Sequence, residues 1–354
     1  MAALSIGIAG AGLLGRLLAW RLARAGHRVA VFDPAAGPAP SFDGTQAAGF
    51  TAAGMLSPLA ELDNATPALA AQGWRAIGLW QAVARALDAP ALVRRRGSLM
   101  LAHRGDLGAA QRVLARLDAA PPGFPVPQAL APGALAGLEP ALQAANAWLL
   151  PEEGQVDSVA MLETLQRRSR GVDWRWQRRV TDVSPGRLTL EGGEALAFDW
   201  AIDVRGAGAR PALPVRGVRG ETVWLRLEGH GLTRPVRLLH PRHRVYLVPR
   251  SADLLILGAS EVESEDRSPM SLKSAVELMS AAHSVMPALA EARIERLDRN
   301  LRPALPDNEP RTESGAGLLR INGLFRHGWL LAPALVEDAL AACGLAAPLE
   351  EAAP

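Results

Sequence analysis

Cysteine, tyrosine and lysine each occur once in this 354-residue chain, as Cys343, Tyr246 and Lys273. A single cysteine cannot build a disulfide framework or a multi-cysteine metal site, and it fits a reducing cytoplasm. Aromatic residues are only 5% of the chain, so its 49% hydrophobic content is mostly aliphatic core material. An excess of one charge is also lacking. Lys and Arg total 38 against 36 Asp and Glu, for a formal net charge of +2, so no nucleic-acid-binding field is expected. The near-absence of lysine leaves arginine to carry the positive charge. Arginine stays charged when buried and grips planar carboxylates with paired hydrogen bonds. Genome base composition remains the plainer explanation for any one of them.

No long uncharged apolar run is present. The opening "MAALSIGIAGAGLLG" lacks a charged leader, and Arg16, Arg21 and Arg24 follow at once. Neither a signal peptide nor a membrane span is therefore expected. There is no internal repeat, and the Ala/Pro-rich runs near 34–40 and 119–136 read as loops. The length suits one large domain or two intertwined ones. His240 and His243 form an H-x-x-H, but Pro241 lies between them and no third ligand is evident, so no metal site is expected.

What is present begins at the N-terminus. Apolar residues up to Ala9 predict a buried strand. Gly10, Gly12 and Gly15 then give the G-x-G-x-x-G spacing, with Leu13 and Leu14 inside it. The three glycines allow a tight turn, close approach of backbone to a pyrophosphate, and close packing of helix on strand. The helix that follows aims its first amides at that phosphate, and Gly26 ends it. "RVAVFD" predicts a second strand ending in Asp33, an acid placed for a ribose hydroxyl. Strand, glycines, helix and acid in register point to a dinucleotide, and the acid favours NAD or FAD over NADP.

The next segment, "GTQAAGFTAAGMLSPLAEL" (44–62), is small and has no strand or helix period. It reads as a flexible loop or as backbone lying flat against a planar ring. Here the chain resembles the D-amino-acid oxidase superfamily, and within it the glycine oxidases of thiamine biosynthesis, in which an A-A-G-M-L loop lines the flavin. The resemblance covers nearly the whole chain and is weakest from about 95 to 145. It implies an α/β (α+β) fold: a Rossmann-like, GR2-type FAD-binding domain formed by residues 1–90, 145–215 and 300–354. An antiparallel-sheet substrate domain, formed by 91–144 and 216–299, would be intertwined with it.

FAD, held non-covalently, is the implied cofactor, since Cys343 is not in the motif that relatives use for covalent attachment. The implied flavin contacts are Pro34 beyond Asp33, Ala48 and Gly49, and the loop residues Ala53, Gly54, Met55 and Leu56. Val180 is implied for the adenine. The stretch Leu324, Phe325, Arg326, His327, Gly328, Trp329 and Leu330 is implied for the pyrimidine edge of the flavin. "FDWAIDVRGAGAR" matches the place where relatives return to the flavin, with Arg205 an unusual residue that also reads as a surface turn. "RVYLVPR" and "LLILGASEVESED" read as a hairpin joined by "SAD", and "SLKSAVELMSAAHSVMPAL" as an amphipathic helix.

Three residues match the family's substrate set. Arg302 in "NLRPALPDNEP" implies a carboxylate clamp, Tyr246 a hydroxyl that reaches the substrate, and Arg326 a support for the carboxylate pocket. Each also has a plain reading, as an ion pair or a half-buried strand residue. Pro333 lies near the start of the final apolar helix, where a proline is expected to remove little.

The sequence departs from the family pattern at Leu324 and His327, near a motif that often carries His and Asn. It also departs at Trp329, which replaces a smaller aliphatic, and at Arg244, which stands at a place that can hold His. The expected activity is oxidative deamination of glycine or a small amino acid, with molecular oxygen as acceptor. No nucleic-acid or membrane partner is expected, and a homotetramer follows only by analogy. Runner-up readings are a D-amino acid or sarcosine oxidase, a quinone-linked dehydrogenase, a tRNA-modifying oxidase and a non-catalytic flavoprotein.

Overall fold

The computed structural model describes residues 2–118, 120, 122–239 and 244–349; His240, His243 and the side chain of Arg244 lie outside the described residues. The strand Ser5–Ala9 is buried from Ile6 onward and pairs in parallel with Arg28–Asp33 on one side and Trp200–Asp203 on the other. Both of its faces are covered, Ile6 and Ile8 packing in the main core cluster and Ala9 in a second cluster with Leu188, which explains its unbroken apolar sequence. The helix Leu13–Arg24 makes the crossover, and Gly26, at φ +88°, turns the chain back. The strands Asp173–Trp176, Leu318–Asn322 and Arg311–Gly315 complete a six-stranded sheet. A small antiparallel meander, Val180–Ser184, Arg187–Leu190 and Ala195–Ala197, packs Val183, Leu188 and Leu190 with Phe32 and Ala201 of that sheet.

The second sheet has eight strands, in the order Arg293–Ala304, Arg216–Arg226, Leu254–Gly258, Arg244–Pro249, Val236–Leu239, Ser98–Ala102, Asn146–Leu150, Gln128–Ala129. The expected hairpin is present, with Pro249 opposite Leu255, and the amphipathic helix forms as Leu272–His283. The sheet is not wholly antiparallel, because Val236–Leu239 runs parallel to Ser98–Ala102. Strands drawn from both sides of residue 145 and from before residue 300 enter this one sheet.

Register places the polar residues of this sheet. Cross-strand partners share a face. Arg237 lies opposite Tyr246, Tyr246 opposite Gly258, Gly258 opposite Thr222, and Thr222 opposite Asp298. Alternation along the last strand then puts Asp298, Asn300 and Arg302 on that same face. Gly258 is needed in this row: a Cβ there would lie 2.6 Å from the Tyr246 hydroxyl.

The final helix, Gly328–Ala342, is buried along most of its length. Pro333 sits inside the helix rather than in its first turn, so it does cost a helical hydrogen bond. The carbonyl four residues back, on Trp329, is left without its amide. The Trp80 indole N–H donates to that carbonyl instead, at 2.6 Å. The Trp329 indole N–H donates to Gly49 O at 3.0 Å, which pins the helix start to the loop that carries Gly49.

Candidate active site

Residues of both sheets border one cavity of about 1110 Å³. Small-molecule sites typically enclose ~300–1,000 Å³, so this one has room for a large cofactor with a small ligand beside it.

At one end lies the glycine turn. Gly10 has φ +106°, and a Cβ there would sit 2.7 Å from Val204 O. Gly15 presses against the Gly10 carbonyl with no space for a side chain, and it does not itself border the cavity. The first helical bond is Arg16 N–H to Gly12 O, at 3.0 Å. The amides of Leu13, Leu14 and Gly15 therefore have no partner within the helix. Gly12, Leu13 and Leu14 border the cavity, so the positive helix end faces it. Asp33 is fixed by Ala11 N–H, at 2.7 Å, and Ala35 N–H, at 2.8 Å, and it borders the cavity beside Pro34.

Arg205 is not a surface turn. Its side chain is buried, paired with Asp203 at 2.7 Å, and donates to Val180 O and Thr181 O at 3.0 Å each. It ties the meander to the main sheet exactly where Val180 borders the cavity.

Ala48, Gly49, Ala53, Gly54 and Met55 line the middle of the cavity; Leu56 does not, being fully buried in the core. Its alternation with Met55 in a short strand turns it inward. Leu324 to Leu330 all border the cavity, and this segment carries the first residues of the final helix. Phe325, at φ +46°, makes the turn that precedes it.

The remaining end holds Arg302, Tyr246 and Arg326, as expected, together with three residues that the sequence did not single out: Glu61, Arg237 and Glu261. Among the described residues the Arg302 guanidinium donates only to backbone carbonyls, Arg219 O at 3.3 Å and Ser260 O at 3.1 Å. Burial pushes the Tyr246 phenol up, against the pull of Arg302 and Arg237, so it stays a hydroxyl donor at neutral pH. Arg326 is not free to act as a second clamp. Its guanidinium meets Glu61 at 3.0 Å and Glu261 at 3.5 Å. Glu61 also takes Arg237 Nη2 at 2.7 Å. His327 does not face solvent; it is buried, with Nδ1 3.4 Å from Glu61. Burial lowers the His327 pKa more than Glu61 raises it, which favours the neutral ring. Burial pushes the Glu61 carboxyl up, but the charges of Arg237 and Arg326 outweigh it and hold it ionised.

Glu61 ends the short helix Pro58–Glu61, whose first turn is held by Glu153. Glu153 Oε1 accepts from Leu59 N–H at 2.9 Å and Ala60 N–H at 3.1 Å, and Oε2 accepts from Ser98 at 2.5 Å. Burial, opposed by the Ser98 hydrogen bond, raises the Glu153 pKa from 4.5 to about 7. The folded chain therefore binds a proton there that the unfolded chain has released, and stability falls as pH rises from 4.5 to about 7. Glu153→Gln keeps the shape without the charge. We expect it to gain on the order of 3 kcal/mol over wild type across that window. Thermal melting of both proteins between about pH 5 and 8 checks this as a difference, so that the opposite trend of His327 cancels. Parallel curves would remove the case for Glu153.

Residues 5–339 match the family described as DAO, FAD dependent oxidoreductase. The chain belongs to that family. Similar proteins include the thiamine biosynthesis oxidoreductase ThiO of Rhizobium etli, 36% identical over 332 residues and 93% of each chain. The glycine oxidase of Geobacillus kaustophilus is 26% identical, over 93% of this chain and 89% of its own. A crystal structure of a glycine oxidase from that organism superposes with TM-score 0.79 at 25% identity, covering 96% of this chain and 94% of the other. The α/β flavoprotein fold and the FAD dependence of this DAO-family oxidoreductase follow.

The residues present fit FAD. The glycine turn leaves no room for a Cβ at Gly10, unpartnered amides and Asp33 stand at one end, and the start of a long helix stands at the other. Among the described residues no helix is long and apolar enough to cross a membrane, and no cluster of His, Cys, Asp or Glu could hold a metal ion. Cys343 caps the far end of the final helix and does not border the cavity.

Glu61 had a legible signal, an acid inside an apolar loop. Arg237 had less of one, because "VRLL" reads as ordinary strand alternation.

Proposed function

We propose that the protein is a glycine oxidase: it oxidises glycine, and more slowly other small amines bearing a carboxylate, and supplies the imine used for thiamine thiazole. One observation carries this. Of the three arginines at the substrate end of the cavity, Arg237 and Arg326 are held by Glu61, while Arg302 has no carboxylate partner among the described residues. A half-buried guanidinium that faces a cofactor cavity and has no carboxylate partner among the described residues is built to receive a carboxylate from outside. The overall similarity to glycine oxidases supports the choice of substrate.

Bound FAD, held non-covalently, supplies a two-electron oxidant regenerated by oxygen; glycine, oxygen and water then give glyoxylate, ammonia and hydrogen peroxide through the free imine. Arg302 fixes the carboxylate, and so the α-carbon, by a two-point contact. Tyr246, three strands away on the same face of the sheet, donates its hydroxyl to the same ligand. Neutral amine enters the reaction, so no dedicated base is needed. The amides of Gly328, Trp329 and Leu330 stand at the start of a buried helix that borders the cavity, where its positive end would hold the cofactor and favour negative charge on it. A cytoplasmic location goes with this reading, as does oxygen as the acceptor.

Anaerobic mixing with a panel of amines tests the assignment. Glycine is expected to bleach the flavin, and in air to release one hydrogen peroxide per glyoxylate. If D-proline or D-alanine bleaches it and glycine does not, the glycine and thiamine assignment is wrong.

A further inference from the structure

We propose that Glu61 restricts this site to amines with one carboxylate, by occupying from within the protein the position and charge that a second substrate carboxylate would take. The proposal builds on the amino acid oxidase reading above and names the substrate class more narrowly.

Three guanidinium groups border the same end of the cavity: Arg302, Arg237 and Arg326. A monocarboxylate needs one of them. The other two converge on Glu61, which offers Oε1 to Arg237 at 2.7 Å and Oε2 to Arg326 at 3.0 Å. This is the geometry in which two arginines would grip a ligand carboxylate, with a protein carboxylate in the ligand's place. The side chains of Glu61, Arg237 and Arg326 are 10%, 20% and 17% exposed, so the cluster forms cavity wall rather than sealed core. Donor capacity exceeds what Glu61 takes up, since Arg237 Nε is buried without an acceptor among the described residues. Two further acids act on Arg326: Glu261 is half-exposed and 3.5 Å away, too screened and too distant to substitute, and Asp63 is engaged by Arg116.

Glu61 is also held in place. Its short helix is fixed at its first amides by Glu153, so the carboxylate does not swing aside to admit a competitor. A dicarboxylic amine bound at Arg302 would bring its second charge against an ionised carboxylate in a partly desolvated site. Like-charge contact there is strongly unfavourable. Removing the Glu61 charge leaves two buried cations in want of an anion, which a second carboxylate would satisfy.

The test uses the FAD-loaded enzyme. Glycine is compared with iminodiacetate and both enantiomers of aspartate in wild type, Glu61→Gln and Glu61→Asp. In Glu61→Gln, kcat/KM for at least one dicarboxylate relative to glycine is expected to rise on the order of 10- to 100-fold, mainly through KM. Glu61→Asp keeps the charge and is expected to keep the wild-type order of preference. A second readout needs no turnover: acetate and malonate are titrated against the flavin absorbance. Malonate is expected to tighten relative to acetate in Glu61→Gln.

Unchanged ratios in a Glu61→Gln protein with full FAD content and wild-type melting overturn the proposal. If Glu61→Gln fails to retain FAD, Arg237→Gln reads the same balance from the other side. With one cation fewer against Glu61, malonate should weaken relative to acetate, and an unchanged ratio again overturns the proposal. Should no amine reduce the wild-type flavin, the amino acid oxidase reading fails by itself, while the malonate and acetate titrations still decide the role of Glu61.

Discussion

Arg302→Ala is expected to lose turnover and keep its flavin. Arg302 lies on the strand Arg293–Ala304, at the substrate end of the cavity and away from the glycine turn that holds the dinucleotide. Its guanidinium fills space that the neighbouring strand leaves open at Gly220, where any Cβ would run into it. Because its hydrogen-bond partners among the described residues are two backbone carbonyls, at 3.3 and 3.1 Å, truncation breaks no ion pair and strands no buried acid among those residues. The fold should therefore survive. Losing a two-point charged contact to the substrate carboxylate should lower kcat/KM by about three orders of magnitude, equivalent to ~4 kcal/mol. The loss should appear in kcat as well as KM, because the contact also aims the α-carbon. Arg302→Lys should recover little of it, since an ammonium offers a point charge in place of a planar fork. Peroxide release, FAD absorbance and anaerobic reduction by glycine together check the result. Wild-type kinetics in Arg302→Ala would mean that the carboxylate is held elsewhere, and the proposed function would lose the observation that carries it.

The dinucleotide end was almost wholly legible in the sequence. Each of its features, from Gly10 to Asp33, is local: a turn, a helix start, a strand end, set within a single crossover whose geometry is fixed by backbone sterics. The substrate end was legible only in part. Arg302 and Tyr246 were reached through resemblance, and both border the cavity. Glu61 and Arg237 were not reached, because their roles arise from a meeting between residues 176 positions apart in the chain. No periodicity announces such a pair. Arg326 borders the cavity, and only the fold shows that Glu61 already holds it. His327 was read by resemblance as part of the stretch at the flavin's pyrimidine edge, with no role of its own, and its buried position beside Glu61 supplies one. Pro333 illustrates a different limit. Its distance from the helix start could be misjudged by two or three residues, and the Trp80 indole that repairs the broken bond lies 249 positions away.

Gly15→Val should abolish FAD binding by disrupting the fold beneath it. A Cβ at Gly15 would fall on the carbonyl group of Gly10, and that neighbour is backbone, which cannot rotate out of the way as a side chain can. Either the helix Leu13–Arg24 lifts from the strand Ser5–Ala9 or the turn between them opens. The helix is buried through Leu17, Leu18, Trp20 and Leu22, so lifting it exposes the centre of the largest core cluster. Overpacking of side chains costs ~1–3 kcal/mol, and a backbone obstruction at the centre of a core should exceed that, on the order of 3–5 kcal/mol. Gly12 provides the contrast. A Cβ there would meet only the Ala47 Cβ, at 3.3 Å, a contact that a slight shift relieves. Gly12 does border the cavity, so Gly12→Ala should fold and melt close to wild type yet bind FAD more weakly, its methyl standing where the cofactor approaches the backbone. Melting curves with and without added FAD separate the two: Gly15→Val should melt early in both, whereas Gly12→Ala should lose mainly the stabilisation that FAD adds. If both variants bound FAD normally, the close approaches seen at this turn would not be what holds the cofactor, and the assignment of the dinucleotide end would have to be withdrawn.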